Sequence, residues 1–283
     1  EKWQRRFLTW GIVIAVFGMR IIFPLAIVAI AAKLDPISAI NLSLNDPERY
    51  EQIVSGAHIG IAGFGGAFLT MVGLNFFFDG DKDVDWIRGL ELALRRFSEI
   101  KAAEIGILLL LLYGISTMLA EDEAMVFLSS GILGIITYIA VDAIGSLLDK
   151  VERKKMAAGA VRSGIGGFLY LEVLDASFSF DGVIGAFALS NNMLIIAIGL
   201  SIGAMFVRSM TVHLVRAGTL SKYRFLEHGA FWAIIALGLI MLFSAKYHIS
   251  ESITGLIGAV LIGISLVWSL RYNRKHGRQT DTV

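Results

Sequence analysis

The sequence predicts an all-α, polytopic transmembrane helix bundle. Of its 283 residues, 56% are hydrophobic and only 17% are charged, and apolar runs of about 20 residues recur along the chain. Soluble domains are less apolar, and a run of that length matches the thickness of a bilayer. The chain contains no cysteine, which excludes disulfides, thiolate metal sites and cysteine nucleophiles. A net charge of +1 gives no indication of a nucleic-acid partner.

Eight apolar runs are candidate spans. They lie at about 10–32, 54–78, 104–120, 124–148, 164–189, 193–213, 229–247 and 252–270. Lys and Arg concentrate in the N-terminal stub, 79–103, 149–163, 214–228 and the C-terminal tail, whereas the alternate loops 33–53, 121–123, 190–192 and 246–251 contain few. Cytoplasmic loops are enriched in Lys and Arg, so we expect both ends of this chain in the cytoplasm. We therefore expect a single transmembrane domain, 1–283, in a bacterial inner membrane, with 79–103 as a cytoplasmic amphipathic connector.

The segment LEVLDASFSFDGVIGAFALS, residues 171–190, carries three carboxylates within an apolar run. They belong to Glu172, Asp175 and Asp181. A carboxylate at the bilayer centre costs about 2.5–3.5 kcal/mol, so these acids need water, a partner charge or a cation. At about 100° per residue, Glu172, Asp175 and Ser179 share one face of a helix, and Asp181 lies on the opposite face. We expect the helix to be interrupted near SFSFDG, as in transporters that bind ions at broken helices.

Oxygen ligands without histidine or cysteine are typical of a site for a hard divalent cation. Carboxylates, hydroxyls and freed carbonyls suit Mg²⁺, Ca²⁺ or Mn²⁺, and none of the five histidines lies in this segment. The alternative is purely structural, with the intramembrane Arg20 and Arg208 pairing with the acids to lock the bundle. Two arginines cannot neutralise three or four acids, which favours the cation.

Other polar residues in the spans are weaker candidates. Asp142 has two equally favoured roles: it is either an ion or proton relay or the ion-pair partner of Arg20. Asn75 and Asp79, four residues apart on one helical face, form either an ion vestibule or a helix end that meets water. Glu227 and His228, in FLEHGAF, open the seventh span at its cytoplasmic edge. A carboxylate at a helix N-terminus is favourable for electrostatic reasons alone, so this pair receives little functional weight.

Four stretches resemble, in the same order, the TerC family of integral membrane proteins. They are FGGAFLTMVGLNFFFD, LEVLDASFSFDGVIGAFALS, SIGAMFVRSMTVHLV and YRFLEHGAFWAI. The resemblance covers essentially the whole chain and implies membership of the LysE-like exporters, with manganese(II) efflux as the activity best supported among TerC relatives. It also implies a motif in which an acid is followed six positions later by aspartate. Asp175 and Asp181 match that motif, although Gly182 replaces the usual Asn.

The TerC motif occurs twice in that family, and 1–60 contains no first copy within a span. We therefore expect a further helix before residue 1. That helix would run antiparallel to the span at 164–189, so the two copies would form an inverted repeat with a cation site between them.

The leading hypothesis is a divalent cation exporter, with Mn²⁺ favoured and Ca²⁺ as the alternative ion. Asp175, Ser179 and Asp181 would bind the cation, and Glu172 would support them or carry a proton back in exchange. The cation is the substrate, and no organic cofactor is expected. The expected partners are the cation and membrane lipid, and a homo-oligomer is left open.

The alternative hypothesis is a non-transporting, metal-binding membrane scaffold or sensor linked to tellurium or metal stress resistance. It would organise cytoplasmic partners through 79–103 and 149–163. An enzyme is not expected, because no nucleophile and base occur at a plausible spacing.

Overall fold

Helices form every regular element that the computed structural model of the chain describes. It describes residues 34–79, 84–97, 100, 102–157, 193–216, 223–247 and 249–276, together with positions 18, 22 and 25. In chain order, the helices are α1 (Pro36–Asn45), α2 (Pro47–Gly56), α3 (His58–Phe78), α4 (Arg88–Phe97), α5 (Ala103–Ser116), α6 (Glu121–Ala157), α7 (Met193–Arg216), α8 (Leu226–Ser244) and α9 (Glu251–His276). The predicted all-α class is therefore confirmed.

Four of the described helices are long and apolar enough to cross a membrane. They are α3, Glu121–Leu147 within α6, α8, and Ser252–Lys275 within α9; α5 and Ile195–Val207 within α7 are apolar but shorter. These six helices coincide with six of the predicted spans. The predicted spans at 10–32 and 164–189 lie outside the described residues. The chain is an integral membrane helix bundle.

Helix α6 is longer than its predicted span of 124–148. It continues to Ala157, into the segment that the sequence analysis assigns to a charged loop. From Ser146 onward the helix contains neither Gly nor Pro and is rich in Leu, Lys, Glu and Arg, which have high helix propensity. The loss of hydrophobicity marks the end of the apolar span, and helix propensity extends the helix beyond it.

Two short helices occupy most of the predicted loop at 33–53. Asp35 caps α1 by accepting hydrogen bonds from the N–H groups of Ile37 and Ser38, at 3.0 and 3.1 Å. Asp46 ends α1 and caps α2 through the Arg49 N–H, at 3.2 Å. Proline follows each aspartate, at a helix start where its missing N–H costs nothing. Hydrogen bonds from the Ser38 side chain and backbone hold the pKa of Asp35 below its usual range.

The chain divides into two compact units. The first consists of Glu1–His58 and Ile136–Met210, and the second of Ile59–Ile135 and Thr211–Val283. In the first unit, α1 and α2 bury Ala39, Ser43, Tyr50 and Val54, and burial raises the pKa of the Tyr50 phenol. The second unit contains α4, α5, α8 and α9, with nearly all of α3 and the first part of α6.

Helix α3 is the central element of the second unit. In the apolar part of α3, 78% of the residues are buried, whereas 11% are buried in the apolar part of α9. A Cβ added at Gly63 would lie 2.6 Å from the carbonyl oxygen of Phe127 in α6, and one added at Gly134 of α6 would overlap the carbonyl oxygen of Phe64. The backbones of α3 and α6 are therefore in contact, and only glycine leaves room for this approach.

Helix α8 packs against α3 in the same manner. A Cβ at Gly66 would lie 2.9 Å from the carbonyl oxygen of Gly238, and one at Gly238 would lie 2.6 Å from the Thr70 hydroxyl. Since lipid tails are as apolar as leucine, burial of apolar surface gives little drive for helix association in a membrane, and close packing supplies it instead. The glycines of α3 thus fix its distance from both neighbours.

Helices α8 and α9 are joined by polar contacts at one end. The Phe225 N–H at the start of α8 donates to the hydroxyl of Ser269, at 2.9 Å. Arg224 donates to the Tyr272 hydroxyl at 3.3 Å, and its guanidinium carbon lies 5.0 Å from the centre of that ring. Ser269 thus accepts, from a neighbouring helix, one of the N–H groups at the start of α8.

The glycine contacts predict that alanine substitution at two positions of α6 changes the free energy of unfolding differently. A Gly134→Ala change places a methyl group against the Phe64 carbonyl, and we expect it to lower the free energy of unfolding by about 1–3 kcal/mol. Gly145→Ala is the matched control, because a Cβ there meets no atom within 4 Å. It should leave stability unchanged or raise it by up to about 1 kcal/mol through helix propensity. Titration of both variants with SDS in mixed micelles measures the effect, and equal stability would contradict the packing of α3 on α6.

Candidate functional site

The predicted cation site lies outside the described residues. Glu172, Asp175, Ser179 and Asp181, with the expected interruption at SFSFDG, all fall within 158–192, which the structure does not describe. Their assignment to a metal site stays a prediction.

The secondary candidates are only partly described. Asp142 is an exposed residue of α6, and Asn75 and Asp79 are exposed at the C-terminal end of α3. Arg20 and the side chain of Arg208 lie outside the described residues, so the pairing of Asp142 with Arg20 also stays a prediction. The exposure of Asn75 and Asp79 agrees with an ion vestibule and with a helix end alike, so both interpretations stay predictions.

A buried polar cluster in the second unit contains residues that the sequence analysis left aside. Glu91 in α4 is only 1% exposed, and His228 in the first turn of α8 is 3% exposed. Glu91 Oε2 lies 3.6 Å from His228 Nε2. The cluster also includes Trp232, the Val84 carbonyl and the N–H groups of Trp86 and Ile87. We refer to these six residues as the Glu91 clasp.

The Glu91 carboxylate accepts hydrogen bonds from two parts of the chain. Trp86 N–H donates to Oε2 and Ile87 N–H donates to Oε1, each at 3.2 Å. The indole Nε1–H of Trp232, one turn beyond His228 in α8, donates to Oε1 at 3.2 Å. The carboxylate therefore joins the backbone before α4 to the first turns of α8.

His228 adds a second connection between the same segments. Its Nε2 lies 2.6 Å from the carbonyl oxygen of Val84. A carbonyl oxygen can only accept, so this contact requires the proton on Nε2. The imidazole thus binds the segment that leads into α4, and Trp232 binds Glu91 within α4.

Local sequence explains how Glu91 reaches these donors. The first N–H groups of a helix have no partner within the helix, and an acid in the first turn can bond back to them. Glu91 is the fourth residue of α4 and bonds to the N–H groups just before the helix. The pattern RGLELALRRF was a usable signal, since Glu91 is the single acid in a helix whose other charges are arginines.

Aromatic residues of α3 pack against the clasp. Phe76 stacks on Phe231 of α8 with ring centroids 3.8 Å apart, and it meets the His228 ring edge-on at 5.4 Å. Phe77 contacts Trp232 at 4.4 Å. These rings shield the carboxylate from water, which strengthens its hydrogen bonds and raises the cost of breaking them.

The chemistry of the clasp suits positioning better than reaction or metal binding. Among the described residues, no group of three or more His, Cys, Asp and Glu could hold a metal ion. Glu91 binds two backbone N–H groups and the Trp232 indole, and His228 Nε2 binds the Val84 carbonyl. The clasp therefore fixes the start of α4 against the ends of α3 and α8.

These features define an integral membrane helix bundle with a buried polar clasp at one end of its helices. The chain belongs to the family described as "Protein of unknown function (DUF475)", whose model matches residues 1–276. No curated protein and no solved structure matches the chain.

The clasp predicts that two glutamates at this end of the structure contribute differently to the free energy of unfolding. A Glu91→Ala change leaves buried N–H groups without an acceptor, and we expect it to lower the free energy of unfolding by about 3 kcal/mol. Glu227→Ala is the matched control, because Glu227 is exposed in the first turn of α8. It should change stability by no more than about 0.5–1 kcal/mol. SDS titration in mixed micelles measures both variants, and a Glu91 variant as stable as wild type would show that the clasp stabilises nothing.

Proposed function

We propose that this protein is a membrane transporter of divalent cations and that its physiological activity is manganese(II) efflux. One observation carries the proposal: Glu172, Asp175 and Asp181 lie within ten residues of one another in an apolar segment of an integral membrane protein. Ionisable residues inside membranes are costly, and they are typical of ion pathways and proton relays. The resemblance of four stretches to the TerC family supports the same activity.

The ligand chemistry favours Mn²⁺, with Ca²⁺ as the second candidate ion. Asp175, Ser179 and Asp181 offer only oxygen atoms, which suit hard cations better than Zn²⁺ or copper. In this proposal they bind the cation and Glu172 supports them. A carboxylate that loses its metal in a medium of low dielectric constant binds a proton more readily, so proton return would complete the export cycle.

The Glu91 clasp favours a second candidate, a metal-binding scaffold or sensor that does not transport. A scaffold needs a fixed surface outside the membrane, and the clasp fixes the start of α4 beside the ends of α3 and α8. Transport requires that the acids be reached by water from each side in turn, whereas a sensor requires access from one side only. Flux therefore distinguishes the two candidates.

The transport proposal predicts the effect of removing one acid. In proteoliposomes loaded with a Mn²⁺-sensitive dye, we expect Asp181→Asn to slow Mn²⁺ flux by about tenfold or more, the loss that corresponds to 1.4 kcal/mol of cation binding. Asp122→Asn is the control, because Asp122 is exposed in the first turn of α6 and should leave the flux unchanged.

Two results would contradict the transport proposal in different ways. An Asp181→Asn variant that moves Mn²⁺ as fast as wild type would remove the site assignment. A wild-type protein that binds Mn²⁺ without any flux would favour the scaffold.

A further inference from the structure

Helix α4 and its flanks expose several large apolar side chains. The exposed fractions are 40% for Ile87, 48% for Leu90, 45% for Leu92 and 57% for Ile100. Exposed large apolar side chains this close together indicate a surface that, in a membrane protein, either lipid or a partner protein covers at least in part.

The Glu91 clasp places the start of α4 at the end of the membrane spans. His228, which contacts Val84 and Glu91, lies in the first turn of α8. The Trp86 ring meets the Trp268 ring of α9 edge-on at 6.0 Å, two turns before the end of that helix. Helix α4 therefore begins where α8 begins and α9 approaches its end.

The residues at this level are those that occupy a membrane–water interface. Trp268 and Tyr272 of α9 lie here, with Arg224 against the Tyr272 ring, and exposed Arg271 and Arg274 are in the same final turns of α9. Tryptophan and tyrosine concentrate at the headgroup level, and basic residues concentrate on the cytoplasmic side. The residues around the start of α4 are thus those typical of the depth of lipid headgroups.

The register of α4 separates an apolar side from a basic side. Leu90 is followed at i+3, i+4 and i+7 by Ala93, Leu94 and Phe97, which share its side of the helix. Leu92 lies four residues after Arg88 and four before Arg96, so it shares their side. Leu90 and Leu92 are about 200° apart around the helix axis.

We propose that α4 is an interfacial helix that lies on the anionic phospholipids of the cytoplasmic leaflet. The side that carries Leu90 enters the acyl region, and Arg88, Arg95 and Arg96 supply the positive charge that anionic headgroups attract. Charge favours lipid as the cover of the helix itself, since α4 contains three arginines and one glutamate, and the clasp binds that glutamate; the aspartates of 79–85 all precede the helix. Helices of this composition lie in the interface plane with the apolar side down. This inference depends on the membrane location of the protein and on the predicted cytoplasmic side of 79–103, and not on cation transport.

Two leucines of nearly equal exposure provide a matched test. The chain has no native cysteine, so Leu90→Cys and Leu92→Cys can each carry a single spin label. In nanodiscs of phosphatidylcholine and phosphatidylglycerol, we expect the label at position 90 to collide mainly with dissolved oxygen, which concentrates in lipid. The label at position 92 should collide mainly with a water-soluble nickel complex. Ala93→Cys reports on the same side as Leu90 if the Leu90 variant does not fold.

The same labels distinguish lipid from a protein partner, and arginine variants test the headgroup charge. Aqueous collisions at both 90 and 93 would overturn the proposal and leave this side of α4 free for a soluble protein. Replacing each arginine with glutamine should weaken enrichment of phosphatidylglycerol around the protein by about fivefold per residue. An unchanged enrichment in the variant with Arg88, Arg95 and Arg96 all replaced would overturn the anionic-lipid assignment.

Discussion

The hydrocarbon core of a membrane offers no water, so every polar group there needs a partner within the protein. Several hydroxyls of the described helices meet this requirement locally, by donating to backbone carbonyls three or four residues earlier. This holds for Ser43, Ser116, Thr117, Ser129, Ser146, Ser244, Thr254, Ser265 and Ser269. The buried Thr70 hydroxyl of α3, by contrast, has no hydrogen-bond partner among the described residues. At the end of the spans, the buried Glu91 obtains its partners over a longer range, with donors from two segments of the chain.

The same constraint explains why glycine is prominent where helices meet. Helices that already satisfy their own backbone hydrogen bonds gain stability by approaching closely, because each contact adds dispersion energy. Gly63 and Gly134 bring α3 against α6, and Gly66 and Gly238 bring α3 against α8. Helix α3 thereby becomes the fixed element against which Phe76 and Phe77 pack the clasp.

Sequence reasoning predicted the spans well because their signal is local. An apolar run of sufficient length specifies a helix whatever its neighbours are, and six of the predicted spans coincide with helices of the structure. The helices at 36–56 were missed although their Asp-Pro starts are also local, since the hydropathy pattern there is that of a loop. The pattern of α4 signals at most the capping role of Glu91, and its bond to α8 could not be predicted, because Glu91 and Trp232 are 141 positions apart and meet only through tertiary packing. His228 received little weight because the adjacent Glu227 is explained by its favourable position at a helix N-terminus, and the distant contacts of His228 leave no trace in the local sequence.

The requirement for partners also applies to Glu172, Asp175 and Asp181, whose apolar surroundings are known from the sequence. We propose that a divalent cation is the partner of these three acids. The most direct test is the unfolding temperature of the full chain in detergent with Mn²⁺, Ca²⁺, Mg²⁺ or Zn²⁺ added. Mn²⁺ at a hundred times its dissociation constant should stabilise the wild type by about 2.7 kcal/mol and have no effect when Asp175 and Asp181 are both replaced by Asn. A wild type that none of the four ions stabilises, or equal stabilisation of both proteins, would contradict the account.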